Sequence, residues 1–327
     1  MNRRAAIIYT LTLLGVPALD RFSGTGLSDE ELAQMLRKVT DRYARDIVDG
    51  PFVKLYTGLR AHADAAARLA RSAAGTPRGQ TLLTVSVEAR GLAGERAFFD
   101  LDDPGTAAHQ LDRAAADAAA TGDHELVAWT RGKQAQQAIY AKQYEQARSL
   151  VSAGLKELRS GEASLVAAEL WLHEADAAVH VGESRAAFAA LEHARNAAQA
   201  TSPTPVARLV RVDDALLDCY QGLLHLHNGQ HQQARAAATA ALRPLAPTDP
   251  RRIASLTDLA IIDADHGEPD QAATTTAEAL ALAIRNGSYQ RQRFVLRPWK
   301  RLRPFETVGA VRELGEQLRA AGLIHAA

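Results

Sequence analysis

Four residues, Glu169, His173, Asp176 and His180, stand at i, i+4, i+7 and i+11. On a helix that spacing gathers two carboxylates and two imidazoles on one face, a set with the donors for a divalent metal or for proton transfer. No HExxH run or second carboxylate pair lies beside it, so neither use is favoured. A second group, His225, His227 and His231 in "HLHNGQH", straddles a helix–turn–helix junction with no Cys or acidic cluster at ligand spacing. Polar turn histidines account for it. No Gly-rich phosphate loop, GxSxG elbow or Cys–His nucleophile pattern occurs, and "GTGLS" at 24–28 lacks the Lys-Ser/Thr of a P-loop. The sequence reads as non-catalytic, with no metal and no cofactor.

A third group is basic. "RNGSYQRQRFVLRPWKRLR", from Arg285 to Arg303, holds seven basic residues and no acid, with Tyr289, Phe294 and Trp299 interleaved. Arg293, Arg297 and Arg301 fall on one stripe and form a candidate basic patch for phosphates. Val295, Trp299 and Leu302 make an apolar face, and Pro298 and Pro304 interrupt the helix. The reading favoured here is a terminal helix docked by its apolar face, with solvated arginines outside. Across the chain 38 Lys and Arg balance 38 Asp and Glu, so nothing draws the whole molecule to nucleic acid or an anionic membrane. The single cysteine, Cys219, excludes a disulfide framework and fits a reducing compartment.

The elements that must position these residues are helices. Ala-, Leu-, Arg- and Glu-rich stretches dominate, alternating β-branched runs are missing, and no apolar run reaches the roughly 18–20 residues of a membrane span. A soluble, cytoplasmic, all-α protein is expected. Ser28-Asp29-Glu30-Glu31 is a capping box, Gly50-Pro51 separates two helices, and Gly75, Gly122, Gly161 and Gly287 read as helix stops.

Internal repeats organise the middle of the chain. Gly222, Gly229, Ala234 and Ala241 match Ala260, Gly267, Ala272 and Ala279, each 38 positions on. Weaker copies run through Ala175, Gly182, Ala187 and Ala194, and through Ala135, Lys142, Ala147 and Ala153; a degenerate one holds Gly94, Ala107 and Ala114. Two antiparallel helices joined by a tight turn approach closely only where side chains are small. This is the tetratricopeptide pattern, and it predicts a right-handed solenoid of antiparallel helix pairs. The expected organisation is an N-terminal apolar segment (1–27), a helical pair (28–75), repeats (76–287) and capping helices (288–327).

In such pairs the first helix lines the concave side, and one face of it can be counted back from each turn. That face carries Arg96, Phe99 and Asp100 in the degenerate copy, and Trp129, Gln136 and Tyr140 in the next. Glu169, Asp176 and His180 follow, then Cys219, Leu223 and His227, and finally Ile261 and Asp265. A groove mixing aromatics, aliphatics and both charges suits an extended peptide, a partner's helix or a small ligand.

Beyond the repeats, the chain resembles the C-terminal tetratricopeptide-like region of actinobacterial Xre-family (helix-turn-helix) transcriptional regulators. The resemblance rests on "MNRR", "EARGLAGERAFFDLDDPGTAAHQLDRAAADAAATGDHELVAWTRG", "LHEADAAVHVGESRAAFAALEHARNAA" and "RLRPFETVGAVRELGEQLRAAG". It implies a sensing and oligomerisation module in transcription control, with a peptide or protein partner and a homodimer as compatible assemblies. No helix-turn-helix precedes the repeats, so direct nucleic-acid binding is not carried over. A stand-alone partner and a regulator with a mis-assigned start both fit. A further alternative is an exported or membrane-tethered scaffold, because Arg3-Arg4, an apolar run and Val16-Pro17-Ala18 imitate an export signal.

Overall fold

The computed structural model describes residues 29–46, 52–158, 164–199 and 204–325. The N-terminal segment, with its export-like run and the Ser28 cap, lies outside the described residues, as do Gly50-Pro51 and Gly161. Among the described residues every regular element is helical: α1 (Asp29–Asp46), α2 (Phe52–Ser72), α3 (Pro77–Leu101), α4 (Pro104–Thr121), α5 (His124–Tyr140) and α6 (Tyr144–Glu157). There follow α7 (Leu165–His180), α8 (Ser184–Ala198), α9 (Asp214–His227), α10 (His231–Leu242), α11 (Arg252–Asp265) and α12 (Pro269–Arg285). Three short helices end the chain: α13 (Tyr289–Phe294), α14 (Leu296–Leu302) and α15 (Gly309–Ala320).

Local chemistry explains the punctuation. Asp103, Asp123 and Asp213 each cap a helix by accepting a backbone N–H from the third residue on, at 2.9, 3.0 and 3.0 Å. The turns inside the pairs end in a left-handed residue, Gly182, Gly229 and Gly267 at φ 82°, 69° and 78°. Lys142 takes the same conformation at φ 60° without being glycine, which costs about 1–2 kcal/mol.

Consecutive helices pair as the repeats predict: α3 with α4, α5 with α6, α7 with α8, α9 with α10 and α11 with α12. The repeat positions are the close approaches. Ala175, Ala187, Ala194, Ala234, Ala260 and Ala272 are fully buried, and a Cβ on Gly222 would sit 3.4 Å from the backbone of Ala238. The first helices α3, α5, α7, α9 and α11 pack side by side as an inner layer, with the second helices outside. The architecture is an all-α, tetratricopeptide-like helical solenoid.

Two segments cross this solenoid. The α8–α9 connection returns to the beginning, where Arg208 pairs with Asp41 of α1 and the fully buried Glu88 of α3. Val206 and Val210 are buried in the core around α5. At the other end α14 packs on α11 and α12, while α13 reaches across to α3. No helix among the described residues is long and apolar enough to cross a membrane.

Candidate functional site

The inner helices and the crossing helix α13 surround a cavity of about 410 Å³, within the roughly 300–1,000 Å³ of small-ligand pockets. Its walls come from the inner faces of α3, α5, α7, α9 and α11, together with α13 and the start of α14.

Of the residues assigned to the groove from sequence, Phe99, Gln136, Tyr140, Asp176, His180, Cys219 and Leu223 lie on this cavity. The others lie elsewhere. Trp129 is fully buried in the core, its indole against Gly91 of α3, where a Cβ would come within 2.3 Å of Cη2. Side-by-side packing of the inner helices covers the lower part of the face counted from sequence, so Trp129 packs α5 on α3 and lies outside the cavity wall. Ile261 is likewise buried. His227 stands edge-on to His180 at 4.7 Å, and Asp265 pairs with Arg301.

Arg96, Asp100 and Glu169 belong to a chain of ion pairs that runs from α3 to α7 beside the cavity. Arg96 joins Asp100 at 3.2 Å and Glu95 at 2.7 Å; Lys133 of α5 joins Glu95 at 3.3 Å and Glu169 at 3.0 Å. Burial pushes the Glu95 carboxyl up, but Lys133 and Arg96 outweigh it and bring its pKa down to about 2. Burial pulls the Lys133 ammonium down, and Glu169 and Glu95 reverse that. Burial dominates at Asp100, whose pKa rises to about 6 against the attraction of Arg96.

The two histidine groups touch through His180 and His227 but do not merge. On α7, His173 is buried and burial lowers its pKa, whereas Asp176 and His180 turn into the cavity and pair at 3.2 Å. His180 stacks on Tyr144 at 4.9 Å. In the other group His225 meets Phe188 and Gln230, His227 meets His180, and His231 meets His266 at 3.3 Å. Four different neighbours disperse the imidazoles. Among the described residues no three His, Cys, Asp or Glu converge as a metal site.

The basic stretch sits as a docked terminal segment. Val295, Trp299 and Leu302 are buried as the apolar face, and Arg293, Arg297 and Arg301 are about half exposed outside it. These arginines are also paired: Arg293 faces Asp102 at 3.8 Å, Arg297 faces Asp258 at 3.4 Å, and Arg301 pairs with Asp265. Acids of α11 and of the residue after α3 hold the stripe in place. Arg297 lines the cavity, and so do Arg291 and Phe294, which sequence reasoning missed.

Helix α13 is tied down at several points. The Ser288 hydroxyl donates to the Phe99 carbonyl at 3.1 Å, and Gln290 donates to the Asp102 carboxylate at 2.5 Å. Phe294 stacks on Tyr140 with ring centroids 5.8 Å apart and planes 5° from parallel. Tyr140 also meets Phe99 edge-on at 5.1 Å. The cavity therefore has an aromatic end, built by α3, α5 and α13.

Burial sets the titration of several groups on its wall. Burial, then the charge of Asp176, raises the phenol pKa values of Tyr140 and Tyr220. Burial and Asp258 push the Cys219 thiol up to about 12, and burial carries Asp258 itself up to about 6 against Arg297. Tyr220, Tyr144, Asp258 and Glu95 also line the cavity and were not foreseen. Tyr220 follows Cys219 in sequence, and Tyr144 lies just past the α5–α6 turn, so counting one face of each first helix passed over both.

No family model matches the chain, and no curated protein matches it. A solved structure, a Rap protein complexed with competence and sporulation factor, shares its architecture. The two align with a TM-score of 0.54 over 98% of this chain and 87% of that chain, at 12% identity. The likeness is one of fold. It extends over nearly the whole chain, so the arrangement of helix pairs, rather than one local motif, is what the two have in common.

Proposed function

We propose that this chain is a non-catalytic sensor that holds a short peptide in the cavity and passes the binding event to a partner protein. The observation that carries the reading is the cavity itself: an aromatic- and aliphatic-lined space on the concave side, with a few inward polar groups to fix orientation. A partner's helix fits less well than an extended peptide, because α13 already crosses the groove and stacks on Tyr140. The similar Rap protein, solved with competence and sporulation factor, supports a role in which a repeat protein of this fold takes up a ligand. The resemblance to Xre-family regulators supports an output in transcription control.

A ligand touching both α3 and α13 favours whichever curvature of the array brings those walls together, and the array responds only as far as the two curvatures differ in affinity. The walls of the cavity supply a direct test, residues 136–144 and 288–297 both bounding it. Short synthetic peptides are screened by thermal shift, and those that stabilise the protein are tested for slowing hydrogen exchange in both of these stretches. Peptides that stabilise the fold yet leave exchange there unchanged bind elsewhere, and that result rejects the cavity reading.

A further inference from the structure

Arg291 is the cavity residue whose charge is least provided for. It lies in α13, and among the described residues its side chain makes no ion pair or hydrogen bond; its Nη1 is buried without a partner. The carboxylates near it pair with other cations. Glu95 is held by Arg96 and Lys133, and Asp100 by Arg96 through Oδ2, its Oδ1 being buried without a hydrogen-bond partner. Arg96 adds a like charge nearby, and burial and that charge together lower the Arg291 pKa. The remaining neighbour, Tyr140, keeps its phenol neutral.

Position adds a second argument. Arg291 and Phe294 stand at i and i+3, so they share one face of α13, and both line the cavity. Beyond them Phe294 is stacked on Tyr140, and Ser288 and Gln290 bind the end of α3. A chain lying along the cavity is stopped there and cannot run on past α13.

We propose that Arg291 anchors the C-terminal carboxylate of the bound peptide, with the last side chain against Phe99, Tyr140 and Phe294. A guanidinium offers a planar pair of N–H donors that matches a carboxylate, and such charge-assisted bonds are the stronger ones. A terminal carboxylate suits the blocked end better than an Asp or Glu side chain, which would leave the rest of a backbone to be accommodated beyond it. This inference rests on the cavity being a peptide site.

The test compares two mixtures of short random-sequence peptides, identical except that one set carries free C-termini and the other C-terminal amides. Binding is read by native mass spectrometry and by slowed hydrogen exchange in residues 136–144 and 288–297 of the unaltered protein. Free acids are expected to bind about tenfold tighter or more than their amides. Arg291→Gln removes that preference, and Arg291→Lys retains part of it. Urea midpoints of both variants show whether α13 stays seated, and the amide arm needs no substitution at all. Amides that bind as well as acids and still slow exchange in residues 136–144 and 288–297 overturn the Arg291 anchor while leaving the cavity reading intact. A preference for acids that survives Arg291→Gln overturns it as well, whereas N-acetylated single amino acids that bind as tightly as peptides overturn the peptide reading. Binding by neither mixture overturns both readings.

Discussion

Replacing Lys133 with Met tests the ion-pair chain beside the cavity. The ammonium sits between Glu95 at 3.3 Å and Glu169 at 3.0 Å and is itself largely buried. After the change Glu95 still has Arg96 at 2.7 Å, but Glu169 has no cation at pairing distance among the described residues. Leaving one partner of a buried pair uncompensated costs about 3–5 kcal/mol, so Lys133→Met should lower the unfolding free energy at neutral pH by that amount. The penalty should depend on pH. In the wild type the Glu95 pKa of about 2 gives stability that is complete above the ordinary carboxylate range and lost as pH falls through that range toward 2. Lys133 is the larger of the two charges that hold it down, so the variant lacks part of that stability and the gap to wild type narrows as pH falls through the same range. Asp100 and Asp258, both raised to about 6, are present in both proteins and largely cancel in the comparison. Urea unfolding followed by circular dichroism measures these differences, and Lys133→Met/Glu169→Gln should recover most of the loss. A cost under about 1 kcal/mol, or a gap that does not change with pH, refutes the reasoning.

Gly91→Ala drives a Cβ to within 2.3 Å of the Trp129 ring and should cost about 1–3 kcal/mol. Combined with Trp129→Phe the two losses should be less than additive, again by urea unfolding. Lys142→Gly relieves a left-handed non-glycine residue at φ 60° and should stabilise by a few tenths to about 1 kcal/mol, after the greater entropy of glycine in the unfolded chain is counted. Phe294→Ala removes the stack on Tyr140, worth about 1 kcal/mol beyond its buried area. Hydrogen exchange should then accelerate in residues 288–302 while α7 and α8 keep their protection; unchanged exchange in 288–302 would sink the idea that this stack seats α13.

The repeat architecture was legible because it is a local matter. Ala187, Ala194 and Gly222 had to be small for two adjacent helices to touch, and such a constraint recurs at a fixed spacing. Half of the groove face was legible for the same reason, since Gln136, Asp176, Cys219 and Leu223 follow from helical geometry and the position of a turn. Trp129 was misjudged because the face counted from sequence continues below the cavity into the contact between neighbouring inner helices. Arg291 and Phe294 were invisible to that counting, which treats each repeat alone. Their place depends on α13 meeting α3, a contact between residues far apart in the chain. A basic run with interleaved aromatics looks the same whether its arginines are free or paired; acids such as Asp258 and Asp265 decide it, and they lie on another helix.

The hydrogen bond from Ser288 to the Phe99 carbonyl joins positions 189 apart. An ordinary repeat array is a row in which each unit knows only its neighbours, and it can unravel from either tip. Here a late segment is knotted to an early one, so unravelling from the C-terminal tip must first break a contact with α3. Links of such long sequence separation are slow to form. During synthesis the inner helices emerge first and the wall carrying Arg291 and Phe294 last, so a nascent chain has a half-built pocket until residues 288–294 have swung back onto α3.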